Sequence, residues 1–169
     1  DLDLRRTLVT DAGIAHLAGL PALKVVKLQD VDRLSEGCVA SLTKIPMLER
    51  VSLRGAVWTD SALMRFGEVH RLKGLELDDA TSITDDGMKS LAGLKDIEVL
   101  SVRGSGIGDA GIGHLGALTK MKRMMLRDTL VGDAAMETLA KMPDLDTLEL
   151  SETAVGDVGV ERLSTLAKL

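Results

Sequence analysis

Aromatic side chains are almost absent from this 169-residue chain, which has one tryptophan, one phenylalanine and no tyrosine. Proteins that bind single-stranded nucleic acid stack the bases on aromatic rings, and nucleic-acid binding in general needs a basic surface. The net charge here is −5. We therefore expect no nucleic-acid partner.

Long apolar runs and cysteine pairs are missing as well. Nowhere do about 18 apolar residues follow one another, the length that a membrane-spanning helix needs, so we expect no membrane span. The single cysteine, Cys38, excludes an internal disulfide. This suits a reducing compartment but leaves the cellular location open. No linker rich in proline, glycine or serine divides the sequence, and we expect one domain over residues 1–169.

A repeat of 24 or 25 residues organises the whole sequence. Similar units begin at the apolar residues Leu23, Leu48, Leu72, Ile97, Met121 and Leu145. A self-similar period of this length indicates a solenoid. The chain opens part-way through a further unit, so we count about seven repeats and expect an uncapped fragment of a longer array. Apolar residues at the two open ends, Leu2 and Leu169, would favour end-to-end association of this fragment.

Each unit combines two apolar patterns. Near its start, buried-type residues alternate with polar ones, which predicts a short strand with one buried face. These pairs are Leu2/Leu4, Val26/Leu28, Val51/Leu53, Leu75/Leu77, Leu100/Val102, Met124/Leu126 and Leu148/Leu150. Further along, every third residue is apolar, as at Ile112, Leu115 and Leu118. We interpret this part as one face of a helix of about three turns.

Stacking such units predicts a curved sheet. Parallel strands lie about 4.8 Å apart, whereas packed helices prefer about 8–10 Å. The helical layer must therefore fan outward, and the sheet must line the concave side. With six gaps between seven strands, the inner sheet is roughly 29 Å long, which suits a protein surface or a peptide.

An acidic residue precedes each predicted helix. The column comprises Asp11, Glu36, Asp60, Asp85, Asp109, Asp133 and Asp157. Oxygen ligands from successive turns would suit calcium. We favour helix capping, because a carboxylate at the start of a helix accepts hydrogen bonds from free backbone amides and faces the positive end of the helix dipole.

A small residue follows two positions after each acid. This column comprises Gly13, Cys38, Ala62, Gly87, Gly111, Ala135 and Gly159. We ascribe it to close approach of the helix to the sheet, which makes Cys38 a buried structural side chain rather than a nucleophile. Trp58 and Phe66 fall in columns that are otherwise aliphatic, and we expect both in the core.

One stretch looks like a nucleotide-binding motif. Gly106, Gly108 and Gly111 fit G-x-G-x-x-G between a strand and a helix, and Asp128 follows some twenty residues later. The repeat explains each of these residues, and a solenoid lacks the topological switch point that dinucleotides use.

Catalytic constellations are not visible elsewhere. The three histidines, His16, His70 and His114, occupy positions that do not converge, and no G-x-S-x-G, H-E-x-x-H or C-x-x-C motif occurs. We expect a non-enzyme without a cofactor or a metal.

The repeat, written from Thr7 to Leu17 as T-x-V-T-D-A-G-I-x-x-L, resembles the leucine-rich-repeat family over the whole chain. It is most similar to the bacterial 24-residue repeats and to the cysteine-containing repeats of F-box-type proteins. The resemblance implies an α/β fold, a right-handed solenoid with its parallel sheet on the concave face and helices on the convex face, that serves as a binding scaffold, usually for proteins. The position that is often Asn or Cys in that family departs from the pattern, so we expect no continuous side-chain ladder there. It holds Thr7, Val31, Ala56, Ala80, Ser105, Thr129 and Thr153.

The concave face carries the candidate binding residues. Arg54, Asp78 and Arg103 alternate in sign on neighbouring strands, as a self-compensating solvated face would. Farther along, Arg103, Arg127 and Arg123 lie close together, which is unfavourable for like charges, and Val99 and Met125 lie beside them. Arginine and methionine together are typical of interface cores. We call this set the arginine patch: Val99, Arg103, Arg123, Met125 and Arg127, flanked by Arg54 and Asp78. We expect it to prefer an acidic or carboxylate-bearing protein surface.

Three functions remain open at this point. The first is protein recognition through the concave sheet. The second is substrate recognition for a linked ubiquitin-ligase-type or other enzymatic module, which the F-box-like resemblance permits. The third is binding of a glycan or another small ligand, which the lack of concave aromatic residues disfavours.

Overall fold

The computed structural model describes residues 1–54 and 58–169. Its strands form one parallel sheet of seven, arranged in the order of the sequence. They are β1 Leu2–Asp3, β2 Val25–Gln29, β3 Arg50–Arg54, β4 Gly74–Asp78, β5 Val99–Ser101, β6 Arg123–Met125 and β7 Thr147–Glu149. One strand per repeat is thus confirmed.

Each strand is followed by a helix that packs on the same side of the sheet. The α-helices are α1 Asp11–Ala15, α2 Val39–Leu42, α3 Asp60–Gly67, α4 Asp85–Met88, α5 Asp109–Gly113, α6 Met136–Leu139 and α7 Asp157–Leu163. Short 3₁₀ segments extend four of them, at His16–Gly19, Glu36–Cys38, Lys89–Gly93 and Asp133–Ala135. The expected helices of about three turns are wrong, since the longest α-helix has 8 residues.

The α-helices are short because the apolar pattern has a period of three residues. Leu115, Leu118 and Met121 each donate from the backbone to the carbonyl three residues earlier, at 2.9, 2.9 and 3.2 Å. The same i→i+3 bonds recur at Val69 and Leu72. An α-helix has 3.6 residues per turn, whereas a 3₁₀ turn has 3.0 and places every third side chain on one face. The buried stripe therefore follows a chain of tight turns that leads into the next strand.

The strands stack in register, so that equivalent residues of successive repeats lie side by side. Val26 pairs with Val51, Val51 with Leu75, and Leu75 with Leu100. All of these side chains are buried, and burying one such residue contributes about 1.5–3 kcal/mol. Trp58 and Phe66 also lie in this core, as the sequence predicts.

The turn that follows each strand is closed locally. Thr7, Ser105, Thr129 and Thr153 donate their hydroxyls to the carbonyl three residues earlier, at 2.6–2.8 Å. Val31 and Ala80 fill the same position with buried apolar side chains. The expected interruption of a side-chain ladder is confirmed at these two residues, while Ala56 lies outside the described residues.

Candidate functional site

The acidic column of the helical side links each repeat to the next. Asp109 at the start of α5 accepts hydrogen bonds from the backbone amides of Gly132 at 2.7 Å and Ala135 at 3.2 Å, both in the following repeat. The same amide bond is made by Asp11, Glu36, Asp60, Asp85 and Asp133. The prediction of helix capping was wrong by one repeat, because six of the seven carboxylates accept from the start of the next helix and not from their own.

The carboxylates of the acidic column also explain the column of small residues. A side chain at Gly111 would overlap the carboxylate of Asp85 and would meet Cγ2 of Ile107 at 3.0 Å. At Gly87 the obstacle is the carboxylate of Asp60. It is therefore the acid of the preceding repeat, more than the sheet, that requires a small residue.

Cys38 belongs to this column and is fully buried. Burial and the charge of Asp11 raise the pKa of its thiol to about 12. A thiol with that pKa is not a nucleophile near neutral pH.

The glycine motif at the start of α5 is occupied by the protein itself. The amide of Gly108, which a bound phosphate would need, donates to Asp85 at 2.7 Å. Over residues 1–54 and 58–169, no group of three or more histidine, cysteine or carboxylate side chains is arranged to hold a metal ion. In the same ranges, no helix has the length and the apolar character that crossing a bilayer requires.

On the concave face, Arg103 is the centre of an ion-pair network. Its guanidinium donates to Glu149 at 2.6 Å and to Asp78 at 3.3 Å, and Ser101 donates to the other oxygen of Asp78 at 2.5 Å. Burial opposes the charged guanidinium, but the hydrogen bond with Glu149 and the charge of Asp78 outweigh it and raise the pKa of Arg103. Asp78 is only 8% exposed, so Arg103 compensates an otherwise buried charge.

The neighbouring arginines are also paired, though at the surface. Arg54 donates to Asp79 at 2.9 Å, and this hydrogen bond raises the pKa of Arg54. Arg127 reaches Glu152 at 2.8 Å. Arg123 is exposed and has no ion pair within the described chain.

The expected exposure of Val99 and Met125 is wrong. Their side chains are 6% and 5% exposed, although both belong to the concave strands. We attribute their burial to the concave surface, on which side chains from neighbouring strands converge. The ion pair between Arg103, in the repeat of β5, and Glu149 on β7 spans two strand gaps and shows this convergence.

A second charged row borders the sheet where the strands begin. Glu49 lies between Lys24 and Lys73, each at 2.9 Å, and these hydrogen bonds lower the pKa of Glu49 to about 2. Glu98 likewise binds Arg50 at 3.3 Å and Lys122 at 3.5 Å. Our sequence reasoning missed this row, although the position after the leading apolar residue alternates in sign. It reads Lys24, Glu49, Lys73, Glu98, Lys122 and Asp146.

The ion pairs of Arg54, Arg103 and Arg127 surround a cavity of about 390 Å³ at the ends of the middle strands. It is lined by Arg54, Asp78, Asp79, Arg103, Gly104, Arg127, Asp128 and Glu149. The structure thus brings Arg54, Asp78, Arg103 and Arg127 of the predicted site together at one cavity. It leaves Arg123, Val99 and Met125 outside the lining.

Solved structures provide a match for this arrangement. An internalin of Listeria monocytogenes superimposes with a TM-score of 0.77 at 23% sequence identity, covering 99% of this chain and 45% of its own. Internalin C2 of the same organism gives 0.60 at 20% identity, covering 93% and 73%. Internalins are leucine-rich-repeat proteins. This chain has the leucine-rich-repeat fold.

The comparisons bear on the fold alone, because the identities are low. No protein-family model matches the sequence, and no curated protein matches it. The chain spans less than half the length of the first internalin structure.

Proposed function

We propose that this leucine-rich-repeat domain is a non-enzymatic scaffold that recognises a partner protein on its concave face. The observation that carries the proposal is the contrast between columns. The helical side has a carboxylate at every equivalent position, whereas the concave position after each strand's second buried residue changes in charge and size. It holds Arg5, Gln29, Arg54, Asp78, Arg103, Arg127 and Ser151.

A position with a structural role in every repeat needs the same chemistry each time, while a recognition surface must differ along its length. Extended concave surfaces of this kind are what solenoids use for binding. The inner sheet, roughly 29 Å long from six gaps of about 4.8 Å, matches the width of a protein interface.

The arginine patch keeps its place in the proposal with altered roles. Arg103 compensates the buried carboxylate of Asp78, and Val99 and Met125 are themselves buried. Arg123 and Arg127 extend from the surface, where they can reach a partner. Because the chain's own carboxylates already bind Arg103 and Arg127, a preference for an acidic partner is retained for Arg123 only.

The finer resemblance, to bacterial 24-residue and F-box-associated repeats, stays a prediction. So does a role as the recognition arm of a ligase-type enzyme. A catalytic or F-box segment in the flanking reading frame would support that role.

The experiment is affinity capture from a lysate of the source cells, read by mass spectrometry. The intact chain is compared with Arg123→Glu combined with Arg127→Glu, which reverses two exposed concave charges. A matched control, Lys44→Glu combined with Lys141→Glu, makes the same charge change just after α2 and α6, where both lysines are exposed. We expect a protein that the chain and the control retain and the concave variant loses. Equal capture by all three would contradict the concave site.

A further inference from the structure

In the turn after each strand, five of the six described repeats have a residue with a side chain, and the equivalent residue of the remaining repeat, Gly55, lies outside the described residues. Arg6, Asp30, Asp79, Asp128 and Glu152 adopt positive φ angles of 55–60° there, and Gly104 occupies the same place with a φ of 65°. Between Asp79 and Asp128 the rim of the concave face therefore has a gap over bare backbone.

Two cavities meet at this gap. The concave cavity described above and a second one of about 300 Å³ share Gly104 and Asp128 in their linings. The second lies outside the rim and is completed by Thr81, Ser105, Gly106, Thr129 and Leu130. We call the continuous depression formed by both linings the Gly104 groove.

The outer part of the Gly104 groove is mostly apolar. The hydroxyls of Ser105 and Thr129 are turned to backbone carbonyls at 2.6 and 2.7 Å, so they are not free to bind a ligand. Leu130 stands on the wall with 72% of its surface exposed. Glycine backbone at 104 and 106 forms the adjoining surface.

The inner part of the Gly104 groove has an excess of negative charge. Three arginines and four carboxylates line the concave cavity, and each arginine is bound to a carboxylate of the chain. Asp128 has no side-chain hydrogen bond or ion pair within residues 1–54 and 58–169. A cation near the gap would thus meet an uncompensated carboxylate beside an apolar wall.

Exposure of a leucine at this repeat position is not enough by itself. Leu8 occupies the same position as Leu130 and is 74% exposed. It lines neither cavity of the Gly104 groove, nor the cavity of about 640 Å³ that Arg5 and Arg6 border in its own repeat. Leu130 differs because Gly104 and Gly106 of the preceding repeat lie beside it, whereas Leu8 belongs to the first repeat of the chain.

We propose that the Gly104 groove binds an extended segment of the partner that carries a lysine or arginine next to an aliphatic residue. The aliphatic residue packs on Leu130, the stem of the basic side chain crosses Gly104, and its charged head meets Asp128. This inference rests on the proposed concave recognition and names the chemistry of the partner.

The test selects ligands from random sequences, so it does not require that the partner be identified. Random peptides of about twelve residues, which span roughly 40 Å when extended, are displayed on phage and selected on the intact chain. We expect enriched peptides with a basic residue one to three positions from an aliphatic one. A selection that enriches no peptides with a basic residue near an aliphatic one would overturn the proposal.

Substitutions then locate the binding on the protein. A synthetic copy of the most enriched peptide should bind Leu130→Ala about tenfold more weakly and Asp128→Asn about threefold more weakly. Gly104→Asn should also weaken it about tenfold by filling the gap. A Cβ there would meet Asp79 at ordinary contact distances of 3.4 Å, and asparagine tolerates positive φ, so the fold should persist.

Matched controls are present in the chain. Leu8→Ala and Asp30→Asn make the same chemical changes at equivalent positions of other repeats and should leave peptide affinity unchanged. Equal losses from the controls and the groove variants would overturn the proposal. If the captured partner is lost by the Arg123 and Arg127 variant but binds Asp128→Asn and Leu130→Ala normally, the groove proposal fails while concave recognition stands.

Discussion

The helical side and the concave side of the solenoid both carry many carboxylates, but they use them differently. On the helical side, six successive repeats make one contact, from a carboxylate to a backbone amide in the next repeat. On the concave side the partners are arginines, and the pairs are not the same in every repeat. Arg103 bridges two carboxylates, whereas Arg127 holds one at the surface.

The difference separates two kinds of information in one sequence. A contact that recurs at the repeat period couples each unit to the next, which is the nearest-neighbour term that stabilises a solenoid. A contact that does not recur in every repeat is not needed to couple the repeats. We therefore expect substitutions in the first set to change stability, and exposed members of the second to change binding.

The largest effect is expected from Asp109→Ala. It leaves the amides of Gly132 and Ala135 without their acceptor, and hydrogen bonds to a charged group contribute about 1.5–3 kcal/mol each. The free energy of unfolding, measured with urea, should fall by about 3 kcal/mol. Asp32→Ala removes an exposed carboxylate and should change it by less than about 0.5 kcal/mol. Equal effects would refute the linking role of the acid column.

Gly111→Val should cause the next largest loss of stability. The added side chain collides with the carboxylate of Asp85, and overpacking of this kind costs about 1–3 kcal/mol. Gly113, two residues along the same helix, has nothing within 4 Å of an added Cβ. Thermal unfolding of Gly113→Val should therefore stay near that of the parent chain, and a larger loss there than at Gly111 would contradict the account.

Arg103→Ala tests the one concave ion pair to which we assign a structural role. The substitution leaves the buried carboxylate of Asp78 without its arginine partner, and we expect the free energy of unfolding in urea to fall by about 2 kcal/mol. Arg127→Ala breaks an exposed pair and should cost less than about 1 kcal/mol. If the two variants were equally stable, Arg103 would not be stabilising the fold by compensating the buried charge of Asp78.

Glu49 should give the smallest effect, visible as a dependence on pH. Its pKa in the folded chain is about 2 against an ordinary 4.5, so the folded state favours the charged form. The stability that it contributes is present above about pH 5 and is lost as the pH falls toward 2. Glu49→Gln should thus differ from the parent chain at pH 7 and converge with it at low pH.

Glu161→Gln serves as the control for this series, since Glu161 is exposed and forms no ion pair in the described ranges. Added salt should shrink the Glu49 difference because both lysine pairs lie at the surface. If the difference in stability between Glu49→Gln and the parent chain grew on acidification, the account of Glu49 would be contradicted.

The architecture could be predicted because the repeat shows each element seven times. Helix length could not be predicted with the rule that we applied: Ile112, Leu115 and Leu118 follow a period of three, and we interpreted it with the period of an α-helix. The spacing itself pointed to 3₁₀ turns.

The site was only partly predictable. A single repeat does not reveal which neighbour its acid caps, although the small residue two positions after each acid was a usable signal. Burial of Val99 and Met125 depends on how long side chains converge across a curved sheet, which column positions do not encode. The gap at Gly104 is visible in the sequence only after the turn residues of all repeats are aligned.

Amide hydrogen exchange measured by NMR tests the central claim most directly. Six amides at the starts of helices each donate to the acid of the preceding repeat, those of Ser35, Thr59, Thr84, Gly108, Gly132 and Gly156. Amides at helix starts are ordinarily without an intrahelical partner and exchange quickly. We predict that all six exchange as slowly as the central strands. Exchange as fast as in the exposed loops would contradict the idea that periodic contacts build this scaffold and leave the concave face to a partner.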